Sequence, residues 1–288
     1  MINASLTELM TLETLDASLY RGQSWDLGFR ALFGGQVLGQ SLAAATATVP
    51  DDRFCHSYHS YFLLPGDASK PVIYDVESVR DGGSFSTRRV KAIQNGKNIF
   101  YMTASFQVEE QNLTHQYAEM PTVPSEHETI SDVEFYEQNP HLVGRGVRDA
   151  IEFHKAIELR TVEAMKPYNT EVTEPKKQVW LRASESMPDS ILMQQAVLSY
   201  ASDFHFLGTA LQPHGVAVNN PQLRIATIDH SIWFHRKFNM NEWHLYDMEC
   251  PVTGNARGLV NGKIYNKQGQ LVASTAQEGL VRLIGEKK

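Results

Sequence analysis

The feature that most constrains the fold is an order of elements that occurs twice along the chain. In the first half, a segment of small and apolar residues at 33–48 predicts a buried helix that ends before Pro50. Strand-like runs rich in Val, Ile, Phe, Tyr and Thr follow it, at 54–64, 72–80, 85–95 and 98–109. In the second half, a run at 177–184 precedes a predicted helix at 190–205. The strand-like runs after that helix lie at 223–236, 242–251, 256–266 and 270–284.

Residue matches accompany the repeated order. His56-Ser57-Tyr58 corresponds to His230-Ser231-Ile232, and Thr103-Ala104 corresponds to Thr275-Ala276, at nearly equal separations in the two halves. Matches that agree in spacing indicate an internal duplication. One helix wrapped by an antiparallel sheet, twice in one chain, predicts an α+β fold of the double hot-dog type. We expect an N-terminal module at 1–115, a connector at 116–176 and a C-terminal module at 177–288.

Composition narrows the class of protein. With 288 residues, 42% of them hydrophobic, the chain is long enough to bury a sizeable core. The net charge of −7 disfavours a nucleic-acid-binding protein, which normally carries a basic surface. No cationic segment with a following apolar run marks a signal peptide, and no run of about 18 apolar residues predicts membrane insertion. We therefore expect a cytoplasmic protein, in which Cys55 and Cys250 are buried thiols rather than a disulfide.

The connector differs in character from the two modules. Prolines recur through it, and acidic residues cluster at 126–137. A solvated linker is the favoured interpretation, with one helix at about 147–160.

Asp203 is the first candidate for chemistry. In the predicted helix it shares a stripe with Leu192, Ala196 and Ser199, and the neighbouring positions are also apolar. A helix that is apolar nearly all round is buried, so its carboxylate would meet little water and have a raised pKa. The alternative is an aspartate exposed where the helix ends.

Two further polar residues fall on predicted strands. Strand alternation places Thr227 and Asp229 on one face of the run and His230 on the other. A threonine in a strand is ordinarily just a good strand former. Gln277 shares a face with Thr275, and its amide can both donate and accept hydrogen bonds, so it can orient a water molecule.

Seven segments resemble the acyl-CoA thioesterase II family. They lie at 21–24, 33–37, 56–62, 101–106, 212–215, 225–231 and 276–279, and only the connector lacks one. The resemblance implies a double hot-dog hydrolase of medium- to long-chain fatty acyl-CoA that works without metal or cofactor. It also implies that Asp203, Thr227 and Gln277 are the catalytic residues, and that the protein is a homo-oligomer, a dimer or tetramer. The expected role is fatty-acid turnover or the release of sequestered coenzyme A.

The chemistry implied by this family is consistent with the residue types. Asp203 would act as a general base or align the attacking water, and Thr227 and Gln277 would hold that water from other directions. Backbone N–H groups at a helix start would stabilise the oxyanion, with the Gly34-Gly35 turn as one candidate. Arg88 and Arg89 belong to the densest basic cluster, which would either meet the phosphates of coenzyme A or form a solvated strand edge. The first half lacks a matching trio, so we expect one site per chain.

Two other functions are less compatible with the sequence. Hot-dog enoyl-CoA hydratases and dehydratases carry a Gly-Asp-x-Asn-Pro-type motif, and the nearest string here, Asn139-Pro140-His141, lacks the Gly-Asp. A non-catalytic acyl-CoA-binding protein is the remaining class, and an intact trio argues against it.

Overall fold

The computed structural model describes residues 5–163 and 170–285. Predictions that fall on 1–4, 164–169 and 286–288, including part of the connector, lie outside the described residues. The helices are α1 Leu6–Met10, α2 Gly34–Thr46, α3 Asp132–Gln138, α4 Arg145–Asp149, α5 Ile151–His154, α6 Ile191–Ala201 and α7 Phe206–Thr209. The strands are β1 Glu13–Asp16, β2 Leu19–Gly22, β3 Arg53–Phe62, β4 Val72–Asp81, β5 Phe85–Gln94, β6 Lys97–Val108, β7 Ile157–Thr161, β8 Lys176–Ala183, β9 Leu223–Thr227, β10 Asp229–Phe234, β11 His244–Gly254, β12 Arg257–Asn266 and β13 Leu271–Leu283.

The strands form one continuous sheet in the order β1-β2-β4-β5-β6-β3-β10-β13-β12-β11-β8-β7, with β9 added against β13. The two halves join where β3 pairs antiparallel with β10, and His59 lies opposite Ser231 at this seam. Read outward from the seam, the halves use strands in the same order, and each half contains one long helix. The predicted duplication of elements is confirmed.

The residue correspondence needs one correction. Tyr58 and Ile232 are buried at equivalent places on β3 and β10, in agreement with the first match. Tyr58 lies opposite Ala104, however, whereas Ile232 lies opposite Thr275. Ala104, not Thr103, is therefore the counterpart of Thr275. The proposed second match is one residue out of register, and a shift of one residue moves a side chain to the other face of a sheet.

Helices α2 and α6 pack directly against each other on the inner side of the sheet. A β-carbon at Gly35 would clash with the carbonyl oxygen of Tyr200, and one at Gly39 would lie 2.7 Å from that of Ala196. The small residues of the helix predicted at 33–48 thus permit close packing of two helices. Helix α6 is buried from Gln194 to Ala201, as its apolar sequence predicts.

The connector is part of the folded body. Its strand β7 extends the sheet beside β8, and the indole N–H of Trp180 donates to the carbonyl of Pro124 at 2.9 Å. The prediction of a solvated linker is wrong for these parts, and the helix expected at 147–160 is replaced by α4, α5 and β7. Alternating burial along β7 gives it the pattern of a half-buried strand.

The apolar residues of the amino-terminal helix and the two cysteines are buried. Leu6, Leu9 and Met10 are buried in α1, and β1 and β2 follow that helix. Cys55 and Cys250 are free and buried, which confirms the predicted thiols. No helix within the described ranges combines the length and apolar character needed to cross a membrane.

Candidate active site

Asp203 lies just beyond the end of α6. The helix ends at Ala201 with Ser202 as its C-cap, and Asp203 belongs to the turn that leads into α7. The prediction of a helix reaching 205 is therefore wrong, and the stripe through Ser199 does not continue to Asp203. The left-handed backbone of His205, with φ of 63°, cannot belong to a right-handed helix.

The start of α2, from the N-terminal module, faces this carboxylate. A β-carbon at Gly34 would lie 2.7 Å from Asp203 Oδ2, and the nearby backbone amide of Gly35 acts to lower the pKa of this carboxyl. The first N–H groups of a helix lack partners within it, and the helix dipole favours negative charge there. Residues from both modules therefore build the site.

Burial controls the ionisation of Asp203. It raises the pKa of this carboxyl to about 7, while hydrogen bonds from the Gly35 amide and the Gln277 side chain act in the opposite direction. Asp203 is half-buried as a residue, and it lines the cavity described below. Near neutral pH it can therefore accept a proton from a molecule bound in that cavity.

A chain of hydrogen bonds connects Gln277 with its neighbours. Gln277 Nε2 donates to Thr227 Oγ1 at 2.8 Å, and Gln277 Oε1 lies 2.9 Å from His230 Nδ1. Burial lowers the pKa of His230 to about 4, so its imidazole is neutral at physiological pH. Because an amide oxygen only accepts, His230 Nδ1–H must be the donor. This bond turns the amide so that Nε2 faces Thr227 and Asp203.

A bulge between β9 and β10 brings Thr227 and His230 to the same side. Thr227 lies opposite Gly279 and Ser231 lies opposite Ala276, so four steps on one strand match three on β13. Ile228 is the extra residue, and it interrupts the alternation of faces. The prediction that Thr227 and His230 point to opposite faces is wrong for this reason. His230 was consequently missed, although a histidine among the apolar residues of a buried strand was a usable signal.

A large cavity opens in front of these groups. Its volume is about 1800 Å³, and Gly34, Asp203, Thr227 and Gln277 lie in its wall. Its apolar wall includes Phe29, Leu32, Val37, Phe62, Ile99, Phe100, Val133, Leu142, Val143, Phe204, Leu207 and Ile225. Both modules and the connector contribute to it.

The structure places Arg88 and Arg89 elsewhere. Arg88 is 2% exposed, and its guanidinium donates to the carbonyl of Thr48 at 2.9 Å and to Asp81 at 2.8 Å. Arg89 forms an exposed ion pair with Glu77 at 3.2 Å. Neither residue lines the cavity. Arg88 instead binds the Thr48 carbonyl beyond the end of α2 and the carbonyls of Arg80 and Thr87 on β4 and β5, a structural role that its charge alone does not reveal.

Substitution of Arg88 is expected to lower the stability of the protein, and substitution of neither arginine is expected to weaken substrate binding. Arg88→Met should reduce the free energy of unfolding by about 1–3 kcal/mol, because three carbonyl groups and Asp81 lose the donor that the buried guanidinium provides. Arg89→Ala, an exposed control, should change it by less than about 0.5 kcal/mol. The KM for acyl-CoA should be unchanged in both folded variants. A severalfold higher KM for either would restore that residue as a substrate contact.

The N-terminal module has no equivalent trio at the corresponding strand positions. With Ala104 matching Thr275, the counterpart of Gln277 is Phe106, a fully buried apolar residue. A phenyl ring cannot orient a water molecule. The expectation of a single site per chain is consistent with this difference.

Comparison with known proteins identifies the family. Residues 147–280 match the family model for acyl-CoA thioesterase, and residues 22–107 match the model for the acyl-CoA thioesterase N-terminal domain. Acyl-CoA thioesterase 2 from Haemophilus influenzae is 41% identical over 96% of this chain and 97% of its own length. The chain belongs to the acyl-CoA thioesterase family. The resemblance on which the sequence prediction rested is confirmed.

Solved structures agree with this assignment. The acyl-CoA thioesterase II TesB2 from Mycobacterium marinum aligns with a TM-score of 0.80 and 36% identity, covering 98% of this chain and all of that chain. A hot-dog-fold protein from Alicyclobacillus acidocaldarius aligns with a TM-score of 0.77 at 18% identity over 97% of this chain and 98% of its own length. The second likeness shows the fold alone. Together they confirm the double hot-dog fold predicted for this acyl-CoA thioesterase.

Proposed function

We propose that this acyl-CoA thioesterase hydrolyses medium- to long-chain fatty acyl-CoA to free fatty acid and coenzyme A, through a water held by Asp203, Thr227 and Gln277. One observation carries the proposal: three polar side chains from separate elements meet at one place in the wall of a large, mainly apolar cavity. An apolar cavity with a few convergent polar groups and a perturbed pKa is typical of an active site.

In the proposed reaction, ionised Asp203 accepts a proton as the water oxygen attacks the thioester carbonyl carbon. The tetrahedral intermediate then collapses, the C–S bond breaks, and the electron pair leaves on the sulfur of coenzyme A. The proton on Asp203 passes to that thiolate or to solvent, which restores the base. A carboxyl group whose pKa is about 7 can act in both directions near neutral pH.

The hydrogen bonds of the site supply orientation. Gln277 is held by His230, so its two amide hydrogens face Thr227 and Asp203. Because Thr227 Oγ1 accepts from Gln277, the hydroxyl hydrogen of Thr227 remains available to bind the water. A water fixed from several directions loses little entropy when it attacks.

The start of α2 supports oxyanion binding. Gly34 is the first residue of that helix and lines the cavity beside Asp203. Its N–H has no acceptor within the helix, and the positive end of the helix dipole favours an anion there. We assign the Gly34 amide as the oxyanion donor, while the Gly35 amide binds the carboxylate of Asp203.

The cavity supports a long acyl group. Its volume of about 1800 Å³ exceeds the roughly 300–1,000 Å³ typical of small-molecule sites. The aromatic and aliphatic wall around Phe62, Ile99 and Phe100 suits a hydrocarbon chain. Each methylene buried there contributes about 0.8 kcal/mol.

A chain-length profile tests the proposed function. Release of free thiol from butanoyl-, octanoyl-, dodecanoyl- and hexadecanoyl-CoA should show kcat/KM rising by about threefold or more per added methylene until the cavity is filled. A profile that is flat or highest for butanoyl-CoA would contradict the proposed substrate class. An intact thioester after substrate conversion would indicate a hydratase, and no turnover would indicate a binding protein.

Two expectations from the sequence stay proposals. The outer face of the sheet near the seam exposes Tyr61, Tyr101 and Trp233, at 46%, 38% and 37% of their surface. Exposed aromatic groups on one face support a homo-oligomer, either a dimer or a tetramer. The cytoplasmic location stays a prediction from the sequence.

A further inference from the structure

A buried contact between a carboxylate and an imidazole links the connector to the turn that contains Asp203. Asp132 is the first residue of α3 and only 5% exposed. Its Oδ2 lies 2.5 Å from Nε2 of His205, and its Oδ1 accepts from Thr161 Oγ1 at 3.1 Å. His205 is two residues beyond Asp203. Asp132 and His205 both line the cavity, and neither has a role in the proposed reaction.

The local structure holds Asp132 firmly. Ser131 caps α3: its Oγ accepts from the Glu134 amide at 3.1 Å, and its own amide donates to the Glu134 carboxylate at 2.7 Å. Reciprocal caps of this kind fix the first turn of a helix. Thr161 anchors the carboxylate to β7, a strand of the continuous sheet. The anchor for His205 is therefore fixed within the first turn of α3 and attached to the sheet through Thr161.

Charged neighbours keep Asp132 ionised. Burial acts to raise the pKa of its carboxyl, but His205 and then Lys177 outweigh burial and lower it. His154 and Tyr136 also lie within its electrostatic reach. An ionised carboxylate in a buried place requires a partner that stays close. The contact with His205 is therefore costly to break.

His205 has a backbone conformation that needs support. Its φ of 63° lies in the left-handed region, which a side chain with a β-carbon adopts at a cost of about 1–2 kcal/mol. Such a residue persists where its surroundings determine its conformation. The contact with Asp132 provides that constraint, and the position of His205 fixes where the preceding turn can lie.

We propose that Asp132 is a positioning residue, which through His205 holds the turn at 202–205 and thereby keeps the Asp203 carboxylate against the start of α2. The inference rests on the proposed function, in which Asp203 activates the water. It assigns to the connector a part in catalysis.

Loss of the contact between Asp132 and His205 should affect Asp203 in a way that depends on the groups around its carboxylate. The Gly35 amide of α2 and Gln277 of β13 bind the carboxylate, and the phenols of Tyr58 on β3 and Tyr246 on β11 lie within its electrostatic reach. Among the described residues, no hydrogen bond or ion pair joins Asp132 to the elements that carry these groups. A loosened turn therefore changes mainly the hydration and placement of the carboxylate. Both changes affect kcat more than the binding of the acyl chain.

The test uses Asp132→Ala, the shape-preserving Asp132→Asn, and His205→Gly, which allows the left-handed backbone but removes the pair. We expect kcat to fall by about 10- to 100-fold in Asp132→Ala with KM changed less than about threefold. In the wild type, kcat should fall as the pH drops below about 7, because Asp203 becomes protonated. In Asp132→Ala this fall, the acid limb of the kcat profile, should occur at lower pH, because water then reaches the Asp203 carboxylate and stabilises its ionised form. Asp132→Asn should show the same changes to a smaller extent. The double variant Asp132→Ala/His205→Gly should lose no more than the worse single variant, because the two residues act as a unit.

Asp81→Ala is the matched control, since it removes the carboxylate partner of buried Arg88 away from the cavity. It should leave kcat and the acid limb as in the wild type. The proposal is wrong if both Asp132 variants keep the wild-type kcat and the wild-type acid limb. It is also wrong if kcat falls but the acid limb does not move. Asp203→Asn separates this failure from failure of the proposed function: if it is inactive while the Asp132 variants are normal, only the positioning role is wrong.

Discussion

Asp203→Asn is expected to lose nearly all thioester hydrolysis and yet to be more stable than the wild type above neutral pH. The amide cannot accept the proton of the attacking water, and loss of a general base typically costs about 10²- to 10⁴-fold in rate. The substitution keeps the size of the side chain, so the contacts with the start of α2 remain. Activity and stability should therefore change in opposite directions.

The gain in stability depends on pH. Burial raises the pKa of Asp203 to about 7 from an ordinary value of 3.8, so the folded protein binds this proton more tightly than the unfolded chain does. The stabilisation by protonation is complete below about pH 4 and is lost as pH rises through about 7. Above that pH the buried charge costs about 4 kcal/mol, because each tenfold change in proton affinity corresponds to about 1.4 kcal/mol. Asparagine does not have this cost.

The measurement combines thiol release with urea unfolding at pH 5 and pH 8. We expect the stability gain of Asp203→Asn to be several kcal/mol at pH 8 and much smaller at pH 5. Asp67→Asn serves as an exposed control of opposite sign, because hydrogen bonds from Ser69 lower the pKa of Asp67. Retained turnover would remove Asp203 from the reaction, and an equal gain at both pH values would contradict the role of its burial.

Gln277→Met should have the second-largest effect. The substitution preserves the length of the side chain but removes the amide that joins Thr227, His230 and Asp203. We expect kcat to fall by about 10²-fold, because the water loses its alignment. The free energy of unfolding should fall by about 1–3 kcal/mol, since the buried imidazole of His230 loses its acceptor.

Gln195→Met provides a matched control for this variant. Gln195 is also almost fully buried, and its Nε2 donates to the carbonyl of Cys55 at 2.7 Å, outside the cavity wall. It should lose comparable stability while its kcat stays within about twofold of the wild type. If both variants lose turnover equally, the effect of Gln277 reflects general destabilisation rather than orientation of the water.

The sequence predicts most of the fold because its largest signals are local. The buried helix at 33–48, the all-apolar helix after Ser190 and the strands between glycine turns each leave a periodic pattern. The repeated order of these elements then defines two modules. The trio is predicted because Asp203 and Gln277 are polar residues in apolar surroundings, and because the flanking segments resemble a known family.

The features that sequence reasoning missed depend on tertiary contacts. The bulge at Ile228 arises from the register between β9, β10 and β13, and no residue at that place signals it. The left-handed backbone at His205, which keeps that residue out of α6, is supported only by the folded surroundings. In the sequence, Arg88 belongs to a basic cluster of the kind that binds anionic ligands. Its partners in the structure are Thr48, which is distant along the chain, and Asp81 at the end of the neighbouring strand.

The site lies where the two modules meet, with Gly34 from one and Asp203, Thr227 and Gln277 from the other. In the proposed reaction each half of the duplication is therefore incomplete by itself: one would supply the amide that binds the oxyanion, and the other the base and the residues that hold the water. On that proposal the two halves are not interchangeable. Phe106 occupies the position that corresponds to Gln277, so the N-terminal half could not supply the water ligands, and deletion of either half should abolish the reaction.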